Sequence, residues 1–589
     1  MFNIQKDLNL KAFDFKLLFK LIYYIKPYKF LFLVTVIISI VFGILSTARP
    51  LLIQYAFDNY ILNFDPIGLW NIMLIIFLLL LIEAFFQFIF LYQSNYLAQK
   101  IIKIIRINVF NKIILFRVNY FDKTPIGQSI TRVVSDIEAI SSVFSQGLIV
   151  IFGDFFKISL IIVCMIIVDW RLALVSLLFL PFLIFSTIVF QYYMRNAFLE
   201  VRKYISKINI FLYEHILGMN IIQLFSKENN EFKIFKSINA SHRDSHIKTV
   251  LYFSIFLPIV DMCSAIAMGL LVWYGAIKSV EDGTVTIGEI IAFILFVNML
   301  FRPLRGIADR FNILQMGVVA SRRVFDILDN NIEIEKIENN RHFTSWSNAS
   351  IIFKNVKFYY KPSEIIFHDL NFSLKNNQTL AIVGPTGSGK TTIINLLMRW
   401  YNVSDGNIYV NGCDINTIPL DQLRSNIGVV LQDNFFLSDT LMNNIKFFNK
   451  ISDEKVFNAV REVGLEDFIN KFPEKYNYDI GERGSGLSAG EKQLISFLRT
   501  YLLNPTFLIL DEATSSMDPW TENLIQGTIK NITKSRTSII IAHRLSTVKD
   551  ADKIIFLEDG NIVEYGDHNT LLKLNGKYAN YYHQQFVGH

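Results

Sequence analysis

The sequence predicts a helical membrane domain of six spans, followed by a cytoplasmic α/β domain built around a phosphate-binding loop. Three observations carry this. Long apolar runs rich in Ile, Leu, Phe and Val fill residues 1–325, whereas the chain from about 350 reads as a soluble α/β sequence. The segments between apolar runs alternate between short ones nearly free of Lys and Arg and long ones studded with them. In the second half, a glycine loop of the form G-x-x-x-x-G-K-T lies between a strand-like and a helix-like run.

The 589 residues suffice for several domains, and the mean hydropathy of +0.36 is high for a soluble protein. The net charge of +6 is mild. Its basic residues in the first half cluster beside apolar spans, which points to membrane orientation and not to nucleic acid. Cys164, Cys263 and Cys413 are scattered without disulfide or metal spacing. Residues 1–29 interleave charge with apolar residues at helical spacing and lack a cleavage site, so they read as a cytoplasmic interfacial helix.

A spanning helix needs about 20 mostly apolar residues to cross roughly 30 Å of hydrocarbon. Six stretches qualify, near 30–53, 70–93, 147–168, 172–194, 251–277 and 287–311, within a membrane domain of 30–325. The basic long loops 94–146 and 195–250 belong in the cytoplasm with the N-terminus and everything after 312. Both loops keep apolar residues at three- and four-residue spacing, so the helices are expected to continue beyond the bilayer. Residues 326–349 read as a linker and 350–585 as the nucleotide-binding domain.

In "TLAIVGPTGSGKTTIINLLMRW" the loop Gly384, Pro385, Thr386, Gly387, Ser388, Gly389, Lys390, Thr391, Thr392 has the strand and helix flanks that give the motif meaning. Backbone N–H groups and the helix N-terminus attract phosphate. Lys390 is expected on the β- and γ-phosphates of ATP, with Thr391 on Mg²⁺. "TFLILDEATSSMD" ends a strand in two acids: Asp511 suits a Mg²⁺ contact, and Glu512 the polarisation of an attacking water. "TSIIIAHRLS" delivers His543 to a sheet end, where a γ-phosphate contact is expected. "IIFLEDGNIVEYG" reads as a hairpin turning at Asp559-Gly560.

With these motifs in this order, the second half resembles the nucleotide-binding domain of ATP-binding cassette (ABC) transporters. The resemblance implies that Tyr360 of "FYY" stacks on adenine, that Gln432 of "VVLQDNFFLSDT" touches Mg²⁺, and that His543 is the switch histidine. It also implies that Asp518 is the D-loop acid and that Leu487, Ser488, Ala489, Gly490 and Glu491 form the signature loop. "GERG" (Gly481 to Gly484) resembles the loop that touches the membrane domain's cytoplasmic loops. The first half is similar to the exporter type, the multidrug and lipid-flippase class, through "YFDKTPIGQSITRVVSDIEAISS" and "LYEHILGMNIIQLFSKE". Within that class the chain resembles the bacterial multidrug-resistance-like half-transporters, which implies a cell-membrane location.

Such transporters use twelve spans and two cassettes, so the resemblance implies a second half-transporter, the same or a related chain. Ser488 and Gly490 would then face an ATP held by the partner. The family's usual signature is Leu-Ser-Gly-Gly-Gln, and here Ala489 and Glu491 depart from it. Glu491 is expected either to face the partner's triphosphate, weakening that site, or to point into solvent. Charges inside spans mark function by default. Glu83 and Asp261 are candidates for a cargo cavity favouring amphipathic cations, or are hydrogen-bonded between helices; Asp154 and Lys157, three residues apart, are expected to pair. The function expected is ATP-driven export or flipping of an amphipathic or drug-like molecule, with a lipid or peptide cargo as alternatives. An ATP-gated channel would predict loss of Lys390, Glu512 or His543, and all three are present.

Overall fold

The computed structural model describes residues 15–281, 283–330, 346, 350–432, 434–447, 449–511, 519–534, 536–542 and 545–584. It divides into two compact units, residues 1–114 with 124–331 and residues 115–123 with 332–589.

The first unit is helical. Its long helices are Lys29–Ala56, Pro66–Ile114, Leu180–Leu217, Glu228–Glu281 and Ile287–Asp329, joined by shorter ones that include Ile149–Val168 and Trp170–Leu177. Several exceed the roughly 20 residues a bilayer needs, as the three- and four-residue periodicity of the loops implies. Five helical segments among the described residues are long and apolar enough to cross a membrane: Lys26–Ile61, Pro66–Ile114, Ile126–Val168, Trp170–Leu217 and Glu228–Glu281. The sixth expected span, 287–311, falls in the helix Ile287–Asp329 and is not among these five.

Packing in this unit follows membrane logic. The helix Lys29–Ala56 buries Thr35, Ser39, Gly43, Ser46 and Thr47, while Phe30, Leu33, Ile37 and Ile44 are exposed. Lipid tails are as apolar as leucine, so small residues that let backbones approach take the inner face. The hydroxyls are satisfied within the helix: Thr35 Oγ1 donates to the Leu31 carbonyl at 2.8 Å and Thr47 Oγ1 to the Gly43 carbonyl at 3.0 Å. Helix starts are fixed by acids. Asp169 caps the helix Trp170–Leu177 by accepting from the N–H groups of Arg171 (2.7 Å) and Leu172 (2.9 Å). Asp58 accepts from Thr286 Oγ1 at 2.8 Å and Gly288 N–H at 3.0 Å at the start of Ile287–Asp329.

One expectation, about Asp154, needs correction here. The helix Ile287–Asp329 runs four residues into the stretch 326–349. Lys20 in the helix Phe15–Tyr23 pairs with Asp329 and lies 4.5 Å from the Phe325 ring, which holds that last turn. Asp154 does not pair with Lys157. It pairs with Arg310, while the Lys157 ammonium lies 5.2 Å from the Phe42 ring. A guanidinium from another helix outcompetes a neighbour on the same helix, because it offers a planar fork of donors.

The second unit holds two sheets. Strands β1 (Ile351–Lys361), β2 (Glu364–Leu374), β4 (Asp405–Val410) and β5 (Cys413–Asp414) pair in the order β2-β1-β4-β5, all antiparallel. Strands β3 (Thr379–Val383), β6 (Ile427–Val430), β7 (Phe507–Asp511), β8 (Thr537–Ile541), β9 (Lys553–Glu558) and β10 (Asn561–Gly566) form the other, in the order β10-β9-β3-β8-β7-β6. The β6–β7, β7–β8, β8–β3 and β3–β9 pairings are parallel. Such strands are covered on both faces and so read as unbroken apolar runs. Alternation divides β7 between two cores: Phe507 and Ile509 pack with Ile539, Ile541 and Ile393, while Leu508 and Leu510 pack with Leu494, Leu498 and Ile525. The hairpin β9–β10 turns at Asp559 (φ 47°) and Gly560 (φ 74°), the positive-φ pair that the two-residue turn requires.

Arg499 ties the helix Ala489–Leu502 to the segment after β6. Its guanidinium donates to the Asn444 carbonyl (2.6 Å), the Phe435 carbonyl (2.7 Å) and Asn444 Oδ1 (3.0 Å), between the rings of Phe436 and Phe447. Burial lowers its pKa to about 10, which leaves it charged at neutral pH. Arg499→Met would strand two carbonyls, so a loss of about 1–3 kcal/mol is expected. It is read as a lower thermal midpoint of the purified chain; an unchanged midpoint would remove this strut from the account.

Candidate functional site

The parallel order sets the site. Strands β3, β8, β7 and β6 run in one direction, so their carboxyl ends share one edge of the sheet, where ligands of such sheets collect. Val383 leads into the glycine loop, Asp511 closes β7, and Gln432 follows β6 by two residues. Glu512, Asp518 and His543 lie outside the described residues.

The loop 384–389 delivers the helix Lys390–Leu397. Gly389 caps that helix at φ 102°, and a Cβ there would stand 2.7 Å from the Phe367 ring, so only glycine fits. The Lys390 ammonium is buried and donates to the carbonyls of Gly384 (2.8 Å) and Pro385 (2.7 Å). An ammonium has three hydrogens, so these two bonds leave one for an anion. Burial pushes the Lys390 pKa down, against the opposing pull of the Asp511 carboxylate. A buried cation of this kind favours a bound polyanion. The Ser388 hydroxyl is also buried and has no partner among the described residues.

Tyr360 is anchored on the same helix. Its hydroxyl donates to Thr392 Oγ1 at 3.3 Å and accepts from Asn395 Nδ2 at 2.8 Å. The rings of Phe358 and Tyr401, each 4.9 Å away, meet it edge to face at 86° and 89°. Tyr401 in turn donates its hydroxyl to Asp122, in the helix Val118–Lys123 of the same unit. Sequence reasoning missed Tyr401 and Asp122; they are far apart in the chain, and only folding brings them together.

Asp511 is buried at the edge, whereas Thr391 and Gln432 are exposed there. All three offer oxygen, which suits Mg²⁺. Among the described residues no group of three or more His, Cys, Asp or Glu could hold a metal ion.

The signature residues start the helix Ala489–Leu502. Ser488 and Ala489 are exposed, and Leu487, Gly490 and Glu491 are buried. Ser488 Oγ accepts the N–H of Glu491 at 3.3 Å, and Glu491 Oε2 accepts the N–H of Ser488 at 2.8 Å, a reciprocal cap. Glu491 Oε1 accepts from Lys471 Nζ at 2.8 Å. Neither expected orientation of Glu491 holds: its side chain turns back onto its own helix and a lysine. Burial alone would raise its pKa, but the Lys471 and Ser488 hydrogen bonds outweigh that and hold it below the usual range. A depressed carboxylate contributes stability above its ordinary pKa and loses it only as pH falls through the folded value, so the pair is intact at neutrality. The Ser488 hydroxyl accepts in this cap, so its own hydrogen remains a donor.

In the first unit Glu83 pairs with Arg49 at 3.5 Å and is largely buried. Asp261 is exposed on the helix Glu228–Glu281.

Residues 32–304 match the ABC transporter transmembrane region family, and residues 367–515 match the ABC transporter family. An uncharacterised ABC transporter ATP-binding protein of Bacillus subtilis (strain 168) is 34% identical over 576 residues, covering 97% of this chain and 94% of the relative. The chain belongs to the ABC transporters. A multidrug resistance-like ATP-binding protein of Buchnera aphidicola (from Acyrthosiphon pisum) is 34% identical over 574 residues, covering 96% and 97% of the two chains. A solved bacterial Atm1-family ABC exporter with ATP bound superposes with a TM-score of 0.80 at 25% identity, covering 94% of this chain and 99% of that one. The protein is thus an integral membrane ABC exporter that couples ATP hydrolysis to transport.

The edge-on support of Tyr360 is worth about 0.5–1.5 kcal/mol per aromatic pair. Tyr401→Leu in this exporter should therefore weaken ATP binding by about 2- to 10-fold, measured with a fluorescent ATP analogue. Unchanged affinity would show that the contact of Tyr401 with Tyr360 does not bear on ATP binding.

Proposed function

We propose that two copies of this chain form an exporter that moves amphipathic small molecules out of a bacterial cell, driven by ATP bound between the two cassettes. The observation that carries the reading is the buried Lys390 ammonium beside Asp511 at the shared edge of the parallel strands. In this reading Lys390 and the glycine loop hold the phosphates, Tyr360 stacks on adenine, and Glu512 polarises the attacking water with His543 at the γ-phosphate. Thr391, Gln432 and Asp511 would hold Mg²⁺, which would supply positive charge beside the phosphates. Ser488 and its neighbours complete the partner's site, with Asp518 beside them.

The charge of Glu491 is engaged within its own chain, so it does not call for a weakened site or an unlike partner. The alternating basic loops support an arrangement with the N-terminus and the cassette in the cytoplasm. A cargo of drug-like character is supported by relatives whose names include multidrug export, among them a putative multidrug export ATP-binding/permease protein of Bacillus subtilis, 31% identical over 576 residues. Both candidate cargo acids stay in this reading: Glu83, which pairs with Arg49, and Asp261, which is exposed on its helix.

Glu512→Gln should abolish ATP turnover in the reconstituted chain while ATP still drives the cassettes together, detected by cysteine crosslinking. Normal turnover in that variant would refute the assignment. Neutralising both acids, Glu83→Gln with Asp261→Asn, should reduce ATP-driven movement of a lipophilic cation dye. Equal transport by the native chain and the double variant, or movement of a lipid or peptide probe alone, would refute the cargo reading.

A further inference from the structure

The carboxylate of Glu491 joins three elements. It is the third residue of the helix Ala489–Leu502 and closes the reciprocal cap with Ser488. It accepts at 2.8 Å from Lys471, the residue that ends the helix Glu466–Asn470. The Lys471 ammonium also lies 5.6 Å from the ring centre of Trp520, in the first turn of the helix Pro519–Thr533. One ammonium thus touches both the start of the signature helix and the start of the helix that follows the D-loop.

The carboxyl side chain is 9% exposed and the Lys471 side chain 57%. This asymmetry matters. A buried carboxylate that loses its counter-ion is costly, whereas the lysine returns to water with little loss. Glutamine could still make the cap, since the capping box accepts Glu or Gln, but it would give up the charge that holds Lys471. The departure from the family's glutamine therefore separates two roles that one side chain performs here: capping, which glutamine shares, and anchoring, which it does not.

We propose that the Glu491–Lys471 pair is a positioning device of this chain, holding the exposed Ser488 at the geometry needed to meet a partner's ATP. This rests on the composite-site reading above. Ser488 is the residue that reaches, and Glu491 and Lys471 act through it. Restoring the family's glutamine should therefore impair the protein, because Lys471 is here to be answered.

The test uses the full chain in lipid nanodiscs and reads the KM for ATP, kcat, the affinity for a fluorescent ATP analogue and the thermal midpoint. A charge-assisted hydrogen bond to a buried carboxylate, discounted for the exposed lysine, corresponds to about a 3- to 10-fold effect. Glu491→Gln and Lys471→Met should each raise the KM by that factor while analogue affinity stays at the native value. Lys471→Arg should behave as native. The double variant Glu491→Gln/Lys471→Met should be no worse than either single one, since the two residues act as a unit. Native KM in Glu491→Gln, additive losses in the double variant, or failure of Lys471→Arg to support a native KM would each overturn the proposal. A fall in thermal midpoint and analogue affinity together would also overturn it, since that marks general destabilisation. Ser488→Arg separates the two levels. If it abolishes turnover while Glu491→Gln is native, the composite site stands and the positioning pair falls. If Ser488→Arg is itself without effect, the composite site falls.

Discussion

The common direction of β3, β8, β7 and β6 is the constraint on which the rest of the catalytic half depends. Parallel strands must end on one edge, and three of the endings here carry a residue type suited to phosphate or metal: the glycine loop after β3, Asp511 at the end of β7, Gln432 after β6. The buried apolar runs that make this sheet possible also exclude water from the base of the site. Lys390 feels both effects: burial lowers its pKa, and Asp511 opposes the shift. A group balanced in this way gains from a bound polyanion more than an exposed lysine would.

A second level of organisation runs outward from that edge. Tyr360 is fixed by its hydroxyl to the helix that carries Lys390, and by ring contacts to Tyr401, whose own hydroxyl reaches Asp122. Arg499 joins the signature helix to the segment that follows Gln432. Lys471 joins the start of that helix to Trp520. Each strut is a cation or a hydroxyl bridging elements distant in sequence.

Much of this was legible in the sequence because the signals were local. The strand, loop and helix around Lys390, the run ending in Asp511, and the Asp559-Gly560 turn follow from residue type and spacing within a few positions. Long helices continuing past the apolar runs followed from periodicity in the same way. What was not legible depended on tertiary choice. Asp154 had a lysine one turn away, yet Arg310 from another helix takes it. Glu491 invited a reading about a partner's phosphate, but Lys471, twenty residues upstream, decides its orientation. The helix end at Asp329 depends on Lys20, 309 residues upstream, which pairs with Asp329 and lies over the Phe325 ring.

The central claim is that each ATP is shared by the phosphate loop of one chain and the signature loop of another. Mixed dimers test it most directly. A Lys390→Ala chain and a Ser488→Arg chain, each inactive alone, are co-expressed with different tags, and the doubly tagged dimer is purified for ATPase assay. In a shared-site dimer both lesions fall in one site and the other is intact, so the account predicts that ATP hydrolysis returns in the mixed dimer. A mixed dimer as inactive as its parents would contradict it.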